Sequence, residues 1–158
     1  MTARIAAIFV LLLVAGCGER LTVEQQVIQT IRSMEDRIES GERRAFMTHV
    51  AEDFSAQDGR MNREQVRALV VFQLNRYERL QARLFPISVI ETGAGTAEAQ
   101  FRALVTGGPN WIPDSGQVYD FETGWRLEDG EWLLVSANWE PVPLDEVLDE
   151  LPLPEIDP

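Results

Sequence analysis

The chain contains no lysine, and only one cysteine and one histidine. Without lysine there is no amine for Schiff-base chemistry and no P-loop. A single cysteine excludes an internal disulfide. A single histidine leaves too few ligands for a zinc site, so no metal and no cofactor is expected. Positive charge is scarce as well: 14 arginines stand against 26 acidic residues, a formal net charge of −12. Phosphate binding needs a cationic face, so nucleic acid is not an expected partner. What remains is 45% hydrophobic and 25% charged over 158 residues, the balance of one globular domain and too short for two.

The longest apolar run is Ile5 to Val14, just after Arg4. It is too short to cross a bilayer as a mature helix but suits the core of a signal peptide. The run ends Leu13-Val14-Ala15-Gly16-Cys17, which resembles the bacterial lipobox: a branched apolar residue, two small residues that admit a peptidase, and the thiol that takes the lipid. An ordinary secretory peptide or an N-terminal membrane helix is the alternative. The only cysteine standing at the motif's acceptor position favours the lipobox. The resemblance implies a leader over 1–16, lipidation at Cys17 and a short tether over 17–23. Two or three acyl chains hold a protein to a membrane durably. Gly18 stands where lipoproteins kept at the inner membrane tend to carry aspartate, which implies the outer membrane, facing the periplasm.

The mature chain shows no internal repeat. Thr22 and Gln25 read as a capping box. Val27, Ile31, Met34 and Ile38 then recur at helical spacing, with Gly41 as a stop. A shorter helix is expected over 42–52, and a brief strand at Phe54-Ser55-Ala56 before an Asp58-Gly59 turn. Asn62 suits the N-cap of a third helix, with Val66, Leu69, Val70, Gln73, Tyr77 and Leu80 on its buried side. Alternation then replaces helical spacing. Strands are expected over 82–91 and 96–106, the second with Ala97, Ala99, Phe101, Ala103 and Val105 on one face. After a Gly/Pro-rich loop at 107–116, strands over 117–128 and 131–140 meet at Asp129-Gly130, a hairpin signal. A two-residue turn places Tyr119, Phe121, Thr123 and Trp125 on one face beside Trp132, Leu134, Ser136, Asn138 and Glu140. The opposite face then carries Leu133, Val135 and Trp139, an apolar stripe that a second subunit would cover. Glu128 and Glu131 would oppose each other, which is mildly unfavourable.

This order of elements resembles the nuclear transport factor 2-like (NTF2-like, SnoaL-like) superfamily. The resemblance is carried by Val27 to Ile38, Ala51-Glu52-Asp53-Phe54-Ser55, Asp58-Gly59, Asn62-Arg63-Glu64-Gln65, Gly124-Trp125-Arg126-Leu127 and Trp132 to Ala137. It covers about 24–140 and is a pattern of elements, not a catalytic signature. It implies an α+β cone: three N-terminal helices on a curved, mostly antiparallel sheet of four to six strands, often hollow and often dimeric. The same fold serves enzymes, binding modules and assembly proteins.

Two sets of candidate residues follow. Tyr119, Thr123, Ser136, Asn138 and Glu140 would line the polar end of a pocket, with Trp125 and Trp132 as an apolar wall. Phe46, Phe72 and Tyr77 filling the same space is the competing reading. His49 and Asp53, spaced i, i+4, would let a carboxylate orient an imidazole base; a helix-face histidine and a helix-end aspartate with local partners are the plainer reading. Tyr119 and Asp120 invite comparison with isomerases of the superfamily, yet adjacent strand residues face opposite ways.

The tail over 141–158 holds five of the eight prolines and six acids without an arginine. Leu144, Val147, Leu148 and Leu151 mark a short acidic amphipathic helix, either a cap on its own domain or a docking element for another envelope protein. The expectation is a lipid-anchored envelope protein whose domain binds a small apolar ligand or a protein partner and catalyses nothing. An isomerase or hydrolase using Asp53 or His49, and a scaffold of an envelope assembly, are the alternatives.

Overall fold

A computed structural model of the chain describes residues 21–77, 79–108, 115–143 and 146. The leader, Cys17, the centre of the loop expected at 107–116 and the expected tail helix lie outside the described residues. Two capping boxes start the two long helices; the sequence predicts the first in full and, of the second, the N-cap at Asn62. Thr22 Oγ1 accepts from the Gln25 amide and Gln25 Oε1 from the Thr22 amide, opening α1 (Val23–Glu39). Asn62 and Gln65 do the same for α3 (Arg63–Arg76). Each such cap is worth about 1 kcal/mol. Val27, Ile31 and Met34 bury one stripe of α1. Between these helices lie α2 (Arg43–Thr48), β1 (Val50–Ala56) and β2 (Met61–Asn62).

The helix expected over 42–52 therefore ends early, and the strand expected at Phe54 starts four residues sooner. Val50, Phe54 and Ala56 are buried while Glu52 and Asp53 are exposed. This uneven pattern follows from an irregularity between Val50 and Ser55 in the parallel pairing of β1 with β7 (Glu131–Val142). The strand expected over 82–91 is two strands, β3 (Arg79–Leu84) and β4 (Ser88–Gly93), with Pro86 between them. Proline has no amide to give a ladder, which breaks the run. Both pair antiparallel with β5 (Thr96–Gly108), and β5 pairs with β6 (Ser115–Glu128). The sheet thus has seven strands rather than four to six, ordered β2-β1-β7-β6-β5-β3 with β4 also on β5. It is curved and unclosed, and antiparallel except where β1 meets β7.

The edge at β3 is covered by the first helix. Glu39 Oε1 accepts from the Ala82 amide at 3.1 Å and Glu35 Oε1 from the Leu84 amide at 3.3 Å. Carboxylates one helical turn apart match amides two strand residues apart, and so occupy donors that another strand would otherwise pair with. The inner face of β5 is as the alternation predicts, with Ala97, Ala99 and Ala103 each no more than 2% exposed.

The hairpin of β6 and β7 turns through Asp129 and Gly130, both at positive φ as a tight two-residue turn requires. Glu128 does oppose Glu131, and Arg126 Nε donates to Glu128 Oε1 at 2.6 Å, which relieves the like-charge pairing. The register expected from the turn holds from Glu128–Glu131 to Trp125–Leu134 and then slips: Gly124 opposes Ser136 and Thr123 opposes Ala137. Val135 is the extra residue, a β-bulge. Beyond it every β7 side chain exchanges faces. Ala137 and Trp139 turn inward, and Ser136, Asn138 and Glu140 leave the inner face. The outer apolar stripe expected from Leu133, Val135 and Trp139 loses its tryptophan.

Candidate functional site

The helices and the inner face of the sheet line a partly open cavity of about 580 Å³. That is within the range of small-molecule sites. The wall on the sheet side follows from alternation: Phe101, Ala103 and Val105 of β5 stand beside Tyr119, Phe121, Thr123 and Trp125 of β6, and Ala137 and Trp139 of β7. Alanine at Ala97, Ala99 and Ala103 keeps that face shallow. Phe101 and Phe121 oppose each other in the register and stack, centroids 5.2 Å apart and planes at 11°. Tyr119 meets Phe121 edge-on at 6.3 Å, and Trp139 lies 6.2 Å from it on the other side. An aromatic shelf thus crosses three strands. Helix residues close the other side, among them Val66, Val70, Gln73 and the C-cap Tyr77.

Of the pocket residues expected from sequence, Tyr119, Thr123 and Trp125 line this cavity. Thr123 is only 7% exposed and its hydroxyl is fully engaged: Trp125 Nε1 donates to it at 2.9 Å, and it donates to the Ala99 carbonyl at 2.9 Å. Ser136, Asn138 and Glu140 do not line it, because the bulge at Val135 turns them outward. Asn138 instead holds the β1–β2 turn: its Oδ1 accepts from the Asp58 amide at 3.0 Å and its Nδ2 donates to Asp58 Oδ1 at 3.1 Å. Trp132 is buried and donates from Nε1 to Gln26 Oε1 at 3.0 Å, tying β7 to α1. The aromatic residues weighed as filling the cone divide. Phe46 and Tyr77 form part of the wall, and Phe72 points away, 57% exposed.

His49 and Asp53 are not brought together as an acid–base pair. His49 caps the end of α2, Asp53 lies in β1, and neither lines the cavity. The Asp53 carboxylate takes both terminal nitrogens of Arg126, at 2.9 and 3.1 Å. That fork of hydrogen bonds stabilises the carboxylate and holds its pKa below the usual carboxylate value. Asp120 faces away from Tyr119, as strand geometry requires, and accepts from Arg102 at 2.7 Å. Among the described residues no group of three His, Cys, Asp or Glu side chains is placed to hold a metal ion, and no helix is long and apolar enough to cross a membrane.

His49 carries one testable consequence. Partial burial lowers its pKa from the ordinary 6.5, with Glu131 opposing and Arg37 assisting. Below that value the unfolded chain binds the proton more readily than the native one. Stability from this group is therefore complete above about pH 6.5 and declines as the pH falls toward the native value. Urea unfolding of wild type and His49→Asn between about pH 8 and 5 should show the two curves running parallel above 6.5 and converging below it. Curves that stay parallel to the acid end would contradict the assignment.

The sequence signal for the cavity was the alanine alternation of β5, and it was sufficient for that wall. Trp139 was missed as a wall residue because nothing local announces the bulge except Gly124. A Cβ at Gly124 would overlap the Ser136 hydroxyl as that hydroxyl now stands, while its other neighbours, the Val135 methyl and the Ser136 Cβ, lie at ordinary contact distance.

No protein-family model and no curated protein sequence matches the chain. Solved structures do. A member of the NTF2-like family from Streptomyces avermitilis, named as a candidate dehydratase, superposes with a TM-score of 0.66 at 19% identity over 76% of this chain and 96% of its own. Hexachlorocyclohexane dehydrochlorinase LinA-type3 from Novosphingobium barchaimii gives 0.61 at 10% identity, covering 75% and 85%. Bd1075 of Bdellovibrio bacteriovorus gives 0.64 at 12% identity, and there this chain spans only 40% of the longer protein. At these identities the likeness is one of fold: the chain has the NTF2-like fold.

Proposed function

We propose that this NTF2-like domain is a lipid-anchored module of the bacterial cell envelope that binds a small, largely apolar ligand in its cone and catalyses no reaction on it. The observation that carries the binding reading is the cavity of about 580 Å³, walled by aromatic and alanine side chains with few polar groups. The reading without catalysis rests on two polar groups of the wall, both engaged by other protein groups. Thr123 is saturated by Trp125 and Ala99. The Glu35 carboxylate at the wall is engaged by the Leu84 amide and by Arg32 Nη1 at 2.8 Å. The anchor rests on the lipobox-like Leu13 to Cys17, and the outer-membrane assignment on Gly18.

One experiment addresses anchor and ligand together: native mass spectrometry of the chain purified from its own host's membranes. The expected protein mass is that of a chain starting at Cys17 plus covalent acyl groups, with a further small mass that leaves on denaturation. Cys17→Ser should lose the acyl mass and leave the membrane fraction unprocessed. A native chain that still carries residues 1–16 would overturn the anchor, and repeated isolation with nothing in the cone would overturn the ligand.

A further inference from the structure

The outer face of the sheet, away from the cavity, is exposed at Glu98, Gln100, Asp120, Glu122 and Glu140. One row breaks that pattern. Val118 lies between Gln117 and Tyr119, which both line the cavity, so its own side chain points outward. Val142 opposes Val118 on β7 and Leu104 opposes it on β5, so the three stand side by side on the outer face. Yet Val118 is only 3% exposed and Val142 only 4%. Among the described residues neither valine belongs to the apolar core inside the cone, and the helix residues that line the cavity lie on the other side of the sheet. A valine on an open sheet face keeps its methyl groups in water, so burial this deep needs a cover on the outer side.

The chain supplies a cover at the right place. Val142 ends β7, and residues 144–151 follow after the single residue Pro143. Leu144, Val147, Leu148 and Leu151 fall on one stripe at helical spacing, with Asp145, Glu146, Asp149 and Glu150 off it. Glu146 is helical and exposed, as the polar side of such a helix requires. A helix over 144–151 is about 12 Å long, and the row from Val142 through Val118 to Leu104 crosses two strand spacings, about 10 Å. Charge matches as well. Arg83 opposes Leu104, and Arg102, two residues from Leu104, opposes Asp120, so both arginines share the outer face with the apolar row.

We propose that residues 144–151 turn back at Pro143 as a helix across the outer face of their own sheet, with the apolar stripe on Leu104, Val118 and Val142 and the acids toward Arg83 and Arg102. The helix starts one residue beyond the row it covers. Such a short link gives its own sheet a high effective concentration over that of a second copy. This end of the outer face is then closed to a second subunit.

The test places pairs of cysteines in the full chain carrying Cys17→Ser, so that no other thiol is present. Under mild oxidation, Val118→Cys with Leu148→Cys is expected to close a disulfide within one chain. The readout is loss of two hydrogens in mass with no dimer band on a non-reducing gel. Glu98→Cys with Leu148→Cys is the control: it lies on the same face but about 20 Å along β5 from Leu104, too far to bridge, and should stay reduced. Adding Arg83→Glu to the first pair should slow closure about threefold, the scale of an exposed ion pair; an unchanged rate overturns the role of charge. Circular dichroism of the reduced chains shows that each variant folds, and Leu104→Cys replaces Val118→Cys if the latter does not. A disulfide between two chains would place the segment on a second copy. No closure above the control rate would mean that another part of the chain covers the valines. Either result overturns the proposal.

Discussion

Replacing Trp125 with alanine should lower the unfolding free energy by about 3–5 kcal/mol, the range for truncating a buried aromatic residue. Trp125 is 2% exposed, the most deeply buried aromatic side chain described, and it stands opposite Leu134 where the hairpin register is still regular. It borders the cavity, so alanine would join a new void to an existing one. The walls of that void are sheet backbone and the helices packed on it, which cannot close inward without breaking ladders. The polar component is separable. Trp125 Nε1 donates to Thr123 Oγ1, but Thr123 keeps its bond to the Ala99 carbonyl when the indole is lost. Trp125→Phe should therefore cost far less than Trp125→Ala, closer to about 1 kcal/mol, because most of the volume stays and no buried donor is orphaned. Urea unfolding monitored by far-UV circular dichroism measures both. A Trp125→Ala cost below about 1 kcal/mol would show that burial overstates what this residue contributes to the cone wall.

The same residues show where sequence reasoning reached and where it stopped. Local signals were legible because they are local: the capping box at Thr22 needs only residues three apart, the N-cap at Asn62 only one, and the Asp129-Gly130 turn only two. Alternation along β5 placed the alanine face because one unbroken strand carries it. The hairpin failed at Val135, where a single inserted residue reverses the face of everything beyond it. Ser136, Asn138 and Glu140 were on the pocket face until that point and Trp139 was not. A period of two leaves no margin for such a slip. The partners of Asp53 and Asn138 were likewise out of reach: Arg126 lies 73 residues from the first and Asp58 lies 80 from the second. His49 and Asp53 looked like a pair only while both were on one helix. Ending α2 at Thr48 removes the i, i+4 geometry and leaves each with its own structural setting.

Gly107→Ala should destabilise the domain by about 1–3 kcal/mol, although glycine in a strand is ordinarily improved by alanine. Gly107 sits near the end of β5, opposite Leu80 of β3 and Ser115 of β6. Its φ is not positive, so backbone strain does not demand glycine there. The demand comes from Tyr77. A Cβ at Gly107 would lie 2.6 Å from Cδ1 and Cγ of the tyrosine ring and 2.9 Å from Cδ2, well inside contact distance. The ring packs against the glycine, and both residues line the cavity. Tyr77 cannot swing clear without leaving the position beneath the Arg76 guanidinium, 5.5 Å from the ring centroid, and opening the wall. The contact is a pair, so a double-mutant cycle isolates it. In a Tyr77→Ala background the clash disappears, and Gly107→Ala should then be neutral or stabilising by a few tenths of a kcal/mol. Costs that simply add across the two substitutions would place the penalty in the strand itself and not under the ring. A coupling of about 1 kcal/mol or more would establish that the glycine is there to seat Tyr77, and with it the end of the cone that the third helix closes.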